Sequence, residues 1–114
     1  MPHHDPQMLK GVLSLLLLSL LDQEDGYGYA VLTQLREGGF DELTEGAIYP
    51  ALTRLESAGH LTSYLQRSDS GPARKYYRIT DEGRSALAER RLAWGQLAES
   101  VHTILTTSRP SPKE

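Results

Sequence analysis

Apolar residues recur along the chain in patterns that predict helices first and a hairpin later. Residues 12–21 consist only of leucine, valine and serine, and they predict a helix over residues 8–22 that is apolar nearly all round and therefore central. Residues 29–37 predict a second helix, which should stop at Gly38 and Gly39. The Asp-Gly pair at residues 25–26 predicts a turn between these two helices.

A third helix is predicted between Thr44, a good N-cap residue, and Gly59, placed where a C-terminal glycine belongs. On a helical wheel its apolar face consists of Ile48, Ala51, Leu52 and Leu55. The opposite face is small and lightly charged: Gly46, Tyr49, Pro50, Thr53, Arg54 and Ser57. Because Pro50 removes one helical hydrogen bond, we expect a bend or an irregular first turn.

The second half of the chain predicts a hairpin and a long helix. Residues 61–67 and 74–80 are rich in β-branched and aromatic residues and flank a polar loop of about five or six residues. Thr80 should cap the final helix. Apolar residues then recur at a spacing typical of a dimer seam: Leu87, Trp94, Leu97, Ala98, Val101, Ile104 and Leu105. The predicted fold is mainly α with a small β-hairpin, in the order α-α-α-β-β-α.

Length and composition limit the class of protein. The chain has 114 residues, 39% of them apolar, which suits one domain with a real core. Residues 1–7 and 108–114 are polar and carry prolines, so we expect loose tails there. Cysteine is absent from the sequence, which excludes disulfides, thiolate metal sites and cysteine nucleophiles.

The leucine run is too short for a membrane span. It has ten residues where about 20 are needed, and it leads into the acidic segment 22–25 without a signal-peptidase site. We therefore expect a soluble, cytoplasmic protein with no membrane partner, in which this run forms a buried core helix.

Charge is distributed unevenly along the chain. The net charge is −3, but residues 22–45 contain seven acidic residues and one basic residue, whereas residues 67–78 contain four basic residues and one acidic residue. Two interpretations of the basic hairpin are open: solvated cations that protect an edge strand, or a phosphate-binding surface. The preceding helix favours the second, because its small residues allow close approach to DNA and Arg54 can reach a base edge or a phosphate.

Other chemistry finds little support in the sequence. The four histidines, at positions 3, 4, 60 and 102, do not have metal-ligand spacing, so we expect no metal site. A nucleophile motif and a glycine-rich phosphate loop are both absent from the sequence. We expect no catalytic residues, no cofactor and no enzymatic activity.

Three stretches resemble a known family of regulators. They are YGY at residues 27–29, EGAIYPALTRLESAG at residues 45–59 and GPARKYYRITDEG at residues 71–83. Together with LKG at residues 9–11, they closely resemble the PadR family of bacterial transcriptional regulators, and the similarity extends over residues 9–105.

The resemblance implies a winged helix-turn-helix DNA-binding domain at residues 8–80 and a C-terminal dimerisation helix at residues 81–107. The third helix would enter the major groove of a near-palindromic double-stranded operator, with the hairpin as a wing. It also implies a homodimeric repressor that a small effector releases from DNA. The predicted DNA-binding residues are Tyr27, Gly46, Tyr49, Thr53, Arg54, Ser57, Arg74 and Lys75.

The final helix carries two further expectations. The predicted dimerisation residues are Leu87, Trp94, Leu97, Val101, Ile104 and Leu105. Around Trp94 the chain resembles multidrug-responsive members of the family, which implies that this tryptophan stacks on flat aromatic effectors; the alternative is a plain interface anchor. The rival function is a winged-helix protein-interaction adaptor that does not bind DNA, although such an adaptor would not need a basic wing.

Overall fold

The computed structural model describes residues 4–109 and confirms the mainly helical class. It contains four helices and three strands: α1 (Pro6–Gln23), β1 (Gly26–Tyr27), α2 (Gly28–Glu37), α3 (Glu45–Ser57), β2 (Leu61–Ser68), β3 (Gly71–Ile79) and α4 (Asp81–Thr106). The four helices and the hairpin follow in the predicted order. We call the β2–β3 hairpin the wing.

Helix α1 is central to the core, as its leucine run predicts. Five of its leucines are buried: Leu9, Leu13, Leu17, Leu18 and Leu21. They pack in one cluster with the apolar faces of α2 and α3 and with the base of the wing. Along residues 4–109, no helix is both long enough and apolar enough to cross a membrane.

Glycines end α2 and α3 as predicted. Gly39 and Gly59 have positive φ values of 111° and 83°, which an L-residue adopts only with strain. After α3, the amide of His60 donates to the carbonyl of Leu55 at 2.9 Å, the bond of a Schellman motif.

The start of α3 follows the prediction in part. Thr44 occupies the N-cap position, but its side chain makes no capping hydrogen bond. Its carbonyl accepts from the amides of both Ala47 and Ile48, at 3.1 and 3.2 Å, a shared hydrogen bond that is common at helix ends. The helix then continues through Pro50, which lies on its exposed side.

A short third strand, β1, begins within the predicted turn at residues 25–26. Gly26 pairs with Tyr77 and Tyr27 pairs with Tyr76, so β1 joins β3 antiparallel and the sheet order is β1-β3-β2. This strand was not predicted from the sequence, because its partner lies about 50 residues further along the chain.

The wing loop is shorter than predicted. Strand β2 extends to Ser68 and β3 begins at Gly71, which leaves a two-residue connection, residues 69–70. Ser68 pairs with Gly71, and the register shifts between Gln66 and Ser68. This irregularity adjoins Pro72, whose missing amide hydrogen would interrupt a regular ladder.

Helix α4 begins against the turn that joins α3 to β2. The Thr80 hydroxyl accepts from the amide of Gly83 at 3.0 Å, the predicted cap, and donates to the carbonyl of Gly59 at 2.6 Å. Gly83 is buried so closely against the His60 carbonyl that a Cβ would clash with it. These contacts fix the direction in which α4 leaves the domain.

The segment before α1 differs from the expectation of a loose tail over residues 1–7. Helix α1 begins at Pro6, and the Asp5 carboxylate caps it by accepting from the amide of Gln7 at 2.8 Å. His4 Nε2 lies 3.0 Å from the carbonyl oxygen of Gly39. Residues 1–3 and 110–114 lie outside the described residues, so that part of the tail prediction has no structural counterpart.

Candidate nucleic-acid interface

The two faces of α3 separate as the helical wheel predicts. The four residues of its predicted apolar face are all buried, led by Ile48 and Leu52. All six residues predicted for the opposite face are exposed: Gly46, Tyr49, Pro50, Thr53, Arg54 and Ser57. The helix therefore presents a surface of small and hydroxyl-bearing side chains with one cation, Arg54.

A cleft of about 570 Å³ lies beside this surface, where α2, α3 and β3 meet. Its lining includes four of the predicted DNA-binding residues, Tyr27, Tyr49, Arg74 and Lys75. It also includes three residues that the sequence reasoning did not single out: Gly28, Tyr29 and Tyr77. The remaining four predicted residues, on α3, do not line the cleft and lie on the exposed helix face next to it.

Gly28 and Tyr49 form the closest contact in the cleft. A Cβ on Gly28 would lie 2.5 to 2.8 Å from the outer ring atoms and hydroxyl of Tyr49, so only glycine fits under this ring. Burial raises the pKa of the Tyr49 hydroxyl, and the carboxylate of Glu45 acts in the same direction. The hydroxyl therefore keeps its proton at neutral pH and is able to donate a hydrogen bond to an anionic acceptor.

The cations of the interface have different surroundings. The Arg74 guanidinium lies 4.6 Å from the centre of the Tyr27 ring. Lys75 forms an ion pair with Glu56 at 3.2 Å. The Arg54 side chain forms no hydrogen bond or ion pair within residues 4–109, so its guanidinium is available to a partner.

Behind the cleft, the two strands of the wing are tied to the α1–β1 turn. Asp25 accepts hydrogen bonds from the Tyr64 hydroxyl at 2.7 Å and from Arg78 Nε at 3.0 Å. The Tyr64 hydrogen bond, supported by Arg78, lowers the pKa of the Asp25 carboxyl against the smaller opposing effect of burial. Tyr64 and Tyr76 stack with ring centres 5.7 Å apart, which continues this contact along the sheet.

Comparison with known proteins identifies the family. The family described as "Transcriptional regulator PadR-like family" matches residues 17–89, well over half of the chain. The chain belongs to this family. Its sequence is 41% identical over 75 residues to "Transcriptional regulator Rv3488" from Mycobacterium tuberculosis, a match that covers 66% of this chain and 68% of that protein.

Solved structures of PadR-like proteins share the fold over nearly the whole chain. A PadR-like transcriptional regulator from Bacillus cereus is 41% identical, with a TM-score of 0.80 over 90% of this chain and 99% of that one. A PadR family transcriptional regulator from Eggerthella lenta is 38% identical, with a TM-score of 0.81 over 90% of this chain and 88% of that one.

In this PadR-like chain, the predicted dimer seam on α4 needs one correction. Leu87 is only 3% exposed and belongs to the core of its own chain, because α4 packs on α1 at that level. The other five predicted residues are exposed: Trp94, Leu97, Val101, Ile104 and Leu105. An exposed apolar stretch on α4 therefore begins only after Leu87.

A second, larger groove of about 1050 Å³ lies between this stretch and the N-terminal half of α1. Trp94, Leu97, Val101 and Leu105 line it from α4, and Met8 lies among the residues that face them from α1. Trp94 is 47% exposed. The groove is thus mostly apolar and open to a partner or a ligand.

Residues 4–109 contain no group of three or more His, Asp or Glu side chains placed to hold an ion. Of the histidines considered in the sequence, His4 lies against the ring of Phe40, with centres 4.6 Å apart, and His102 lies along the α1–α4 groove. His3 lies outside the described residues.

Proposed function

We propose that this PadR-like chain is a cytoplasmic, homodimeric repressor that binds a near-palindromic DNA operator through α3 and the wing. The arrangement that carries the proposal is the convergence of Tyr27, Tyr49, Arg74 and Lys75 in one cleft beside the exposed face of α3. Hydroxyls and cations at the edge of a helix-turn-helix suit the phosphates that flank a major groove.

Arg54 is the strongest candidate for direct base contact. Its side chain is exposed on α3 and has no hydrogen-bond or ion-pair partner within the described residues, so it needs to break no internal pair to reach DNA. Arginine reads guanine by two parallel hydrogen bonds in the major groove. Gly46, Thr53 and Ser57 keep the helix surface low around it, which allows close approach.

The experiment that tests this function starts by selecting an operator from a randomised duplex pool with the wild-type protein. Arg54→Ala should then weaken binding to the selected duplex about tenfold or more, the loss expected for one good base contact. Arg91→Ala is the matched control, because Arg91 is exposed on α4, away from the cleft. If no duplex binds even at low salt, or if both variants behave alike, the proposal is wrong.

The exposed apolar surface of α4 supports the proposed dimer. Leu97, Ile104 and Leu105 are each more than half exposed in a single chain. A monomeric soluble protein rarely leaves so many large apolar residues uncovered on one helix. A second α4 with the same surface would cover them and would set the spacing between the two copies of α3.

An effector site near Trp94 completes the proposal. The groove beside Trp94 is wide enough for a flat aromatic compound, and an effector that prefers the DNA-incompetent spacing needs only about 1–3 kcal/mol of coupling to release DNA. Trp94 is the only tryptophan. A compound that releases the selected duplex should therefore change the tryptophan emission; unchanged emission during release would exclude this site.

A further inference from the structure

An ion pair connects the recognition helix α3 with the wing. Glu56 Oε1 lies 3.2 Å from Lys75 Nζ, and the other carboxylate oxygen accepts a hydrogen bond from the Ser63 hydroxyl at 2.5 Å. Lys75 Nζ also lies 5.3 Å from the centre of the Tyr77 ring. The Lys75 ammonium is thus folded back against its own chain.

The carboxylate of Glu56 is anchored independently of the lysine. The Ser63 hydrogen bond is the main cause that lowers the pKa of Glu56, with Lys75 contributing, so the group is an anion at neutral pH. The side chains of Lys75 and Glu56 are 50% and 31% exposed. A fixed anion therefore holds a cation that an incoming phosphate is still able to reach.

Lys75 and Arg54 consequently meet DNA under different conditions. Arg54 has no partner to leave within residues 4–109, whereas Lys75 must exchange a carboxylate for a phosphate. A solvent-exposed ion pair is weak, so this exchange is feasible when a phosphate is held in the right place. When the phosphate is not held in that place, the exchange contributes little binding free energy.

Building on the proposed DNA-binding function, we propose that Glu56 is an intramolecular competitor that a DNA phosphate must displace from Lys75. It thereby lowers affinity for DNA of arbitrary sequence more than affinity for the operator. On the operator, base contacts from α3 fix the duplex so that a phosphate lies beside Lys75 and replaces the carboxylate. On other DNA the duplex has no fixed register, and the pair stays closed.

The test compares Glu56→Gln with the wild type on two duplexes of about 30 base pairs, three helical turns. One has a random sequence and the other is selected from a randomised pool. At low salt, E56Q should bind the random duplex about two- to fivefold more tightly, the range for one surface ion pair. Binding to the selected duplex should become tighter by a smaller factor. The salt dependence on the random duplex should steepen by about 0.9 in log–log slope, one additional phosphate contact.

Two comparisons separate this mechanism from a general charge effect. Glu45→Gln removes the same charge from the same helix, but Glu45 has no ion pair among the described residues. Its effect on DNA affinity should therefore be the same with and without Lys75. In a Lys75→Gln background, the gain from E56Q should vanish. Ser63→Ala keeps all charges and removes only the hydrogen bond that anchors the Glu56 carboxylate, so the gain in affinity for the random duplex should be smaller. This variant replaces E56Q in the test if E56Q does not fold.

Three outcomes of these binding measurements would contradict the role of Glu56 or the function on which it rests. If E56Q weakens binding to the random duplex, Glu56 holds Lys75 in a DNA-competent position instead of competing for it. If E56Q and E45Q give equal gains that persist without Lys75, the effect is only net charge. If the wild type binds neither duplex at low salt, it is the proposed DNA-binding function that fails, which the first measurement of the series reveals.

Discussion

Gly28 determines the shape of the cleft by having no side chain. Its Cα lies under the ring of Tyr49, and the ring and hydroxyl occupy the space where a Cβ would be. Because Tyr49 is 40% exposed, its ring is able to swing outward if that space is filled. A methyl group at residue 28 would therefore change the site more than the fold.

The first prediction uses this contact. Gly28→Ala should weaken binding to the selected duplex several-fold, because the Tyr49 hydroxyl moves away from the cleft. The thermal midpoint should change little, since the displaced ring is the far end of an exposed side chain and alanine is the better helix former. Fluorescence anisotropy and thermal unfolding measure the two effects.

A double-mutant comparison shows whether Tyr49 carries the effect. In a Tyr49→Ala background, the ring is gone and Gly28→Ala should cost little or no further affinity. An equal loss in both backgrounds would mean that the new methyl group itself obstructs the DNA.

At the residue scale, the sequence predicted which side chains are exposed better than it predicted their partners. The outward face of α3 follows from helical periodicity alone, and all six of its residues are exposed. That Glu56 holds Lys75 and Asp25 holds Arg78 could not be predicted, because the partners lie 19 and 53 residues apart in the chain. Tyr29 was missed although it belongs to the YGY motif that carries Tyr27.

At the scale of elements, Asp25 fastens the wing to the rest of the domain. One carboxylate, in the turn after α1, receives hydrogen bonds from Tyr64 on β2 and Arg78 on β3. Both strands of the wing are thus tied to one point outside the hairpin. The direction of the wing relative to α3 depends on this connection.

The second prediction is a pH dependence of stability that arises at Asp25. Because the folded state lowers the pKa of this carboxyl, its contribution is fully present above the unfolded value of about 3.9 and is lost as the pH falls through the folded value. In urea unfolding between about pH 2 and pH 6, the free energy of unfolding should fall more steeply with decreasing pH in the wild type than in Asp25→Asn. At neutral pH, D25N should be less stable by about 1 kcal/mol.

Tyr64→Phe tests the cause of that shift. It removes the hydrogen bond that contributes most to the low pKa. The decrease in its free energy of unfolding at low pH should therefore lie between those of the wild type and D25N. Parallel curves for all three proteins would show that Asp25 does not link pH to stability.

The elements that the sequence missed are those without local signals. The long helices and the wing strands are periodic or β-rich, and their bounds follow within a few residues. Strand β1 has only two residues, too few for any period, and exists because its partner β3 lies alongside. The wing loop was overestimated because Gly71 and Pro72, typical turn residues, lie at the start of β3.

At the scale of the whole molecule, the described chain has an apolar surface that its own core does not use. Leu87 is the last residue of α4 in the buried core, and Trp94, Leu97, Val101 and Leu105 after it line the α1–α4 groove. The heptad spacing predicted this stretch but could not show where the core ends and the seam begins. A residue buried within its own chain and one buried against a partner have the same periodicity.

The third prediction tests the seam at Leu97, which is 58% exposed and outside the core cluster. Leu97→Glu should convert a dimer to a monomer, because the interface would have to bury one unpaired carboxylate from each chain. Size-exclusion chromatography with light scattering should then give the mass of one chain, while far-ultraviolet circular dichroism stays helical. Affinity for a two-half-site duplex should fall about a hundredfold or more, since the half-sites are no longer bound together.

Leu65→Glu provides the matched control for that change. Leu65 is 73% exposed and lies on the wing, so the same substitution there should leave the mass of the assembly unchanged. Two-chain mass for L97E would place the dimer contact elsewhere than on α4 and remove the reason for coupling Trp94 to the spacing of the two recognition helices. One-chain mass for L97E with undiminished affinity for the full duplex would show instead that each chain binds DNA independently.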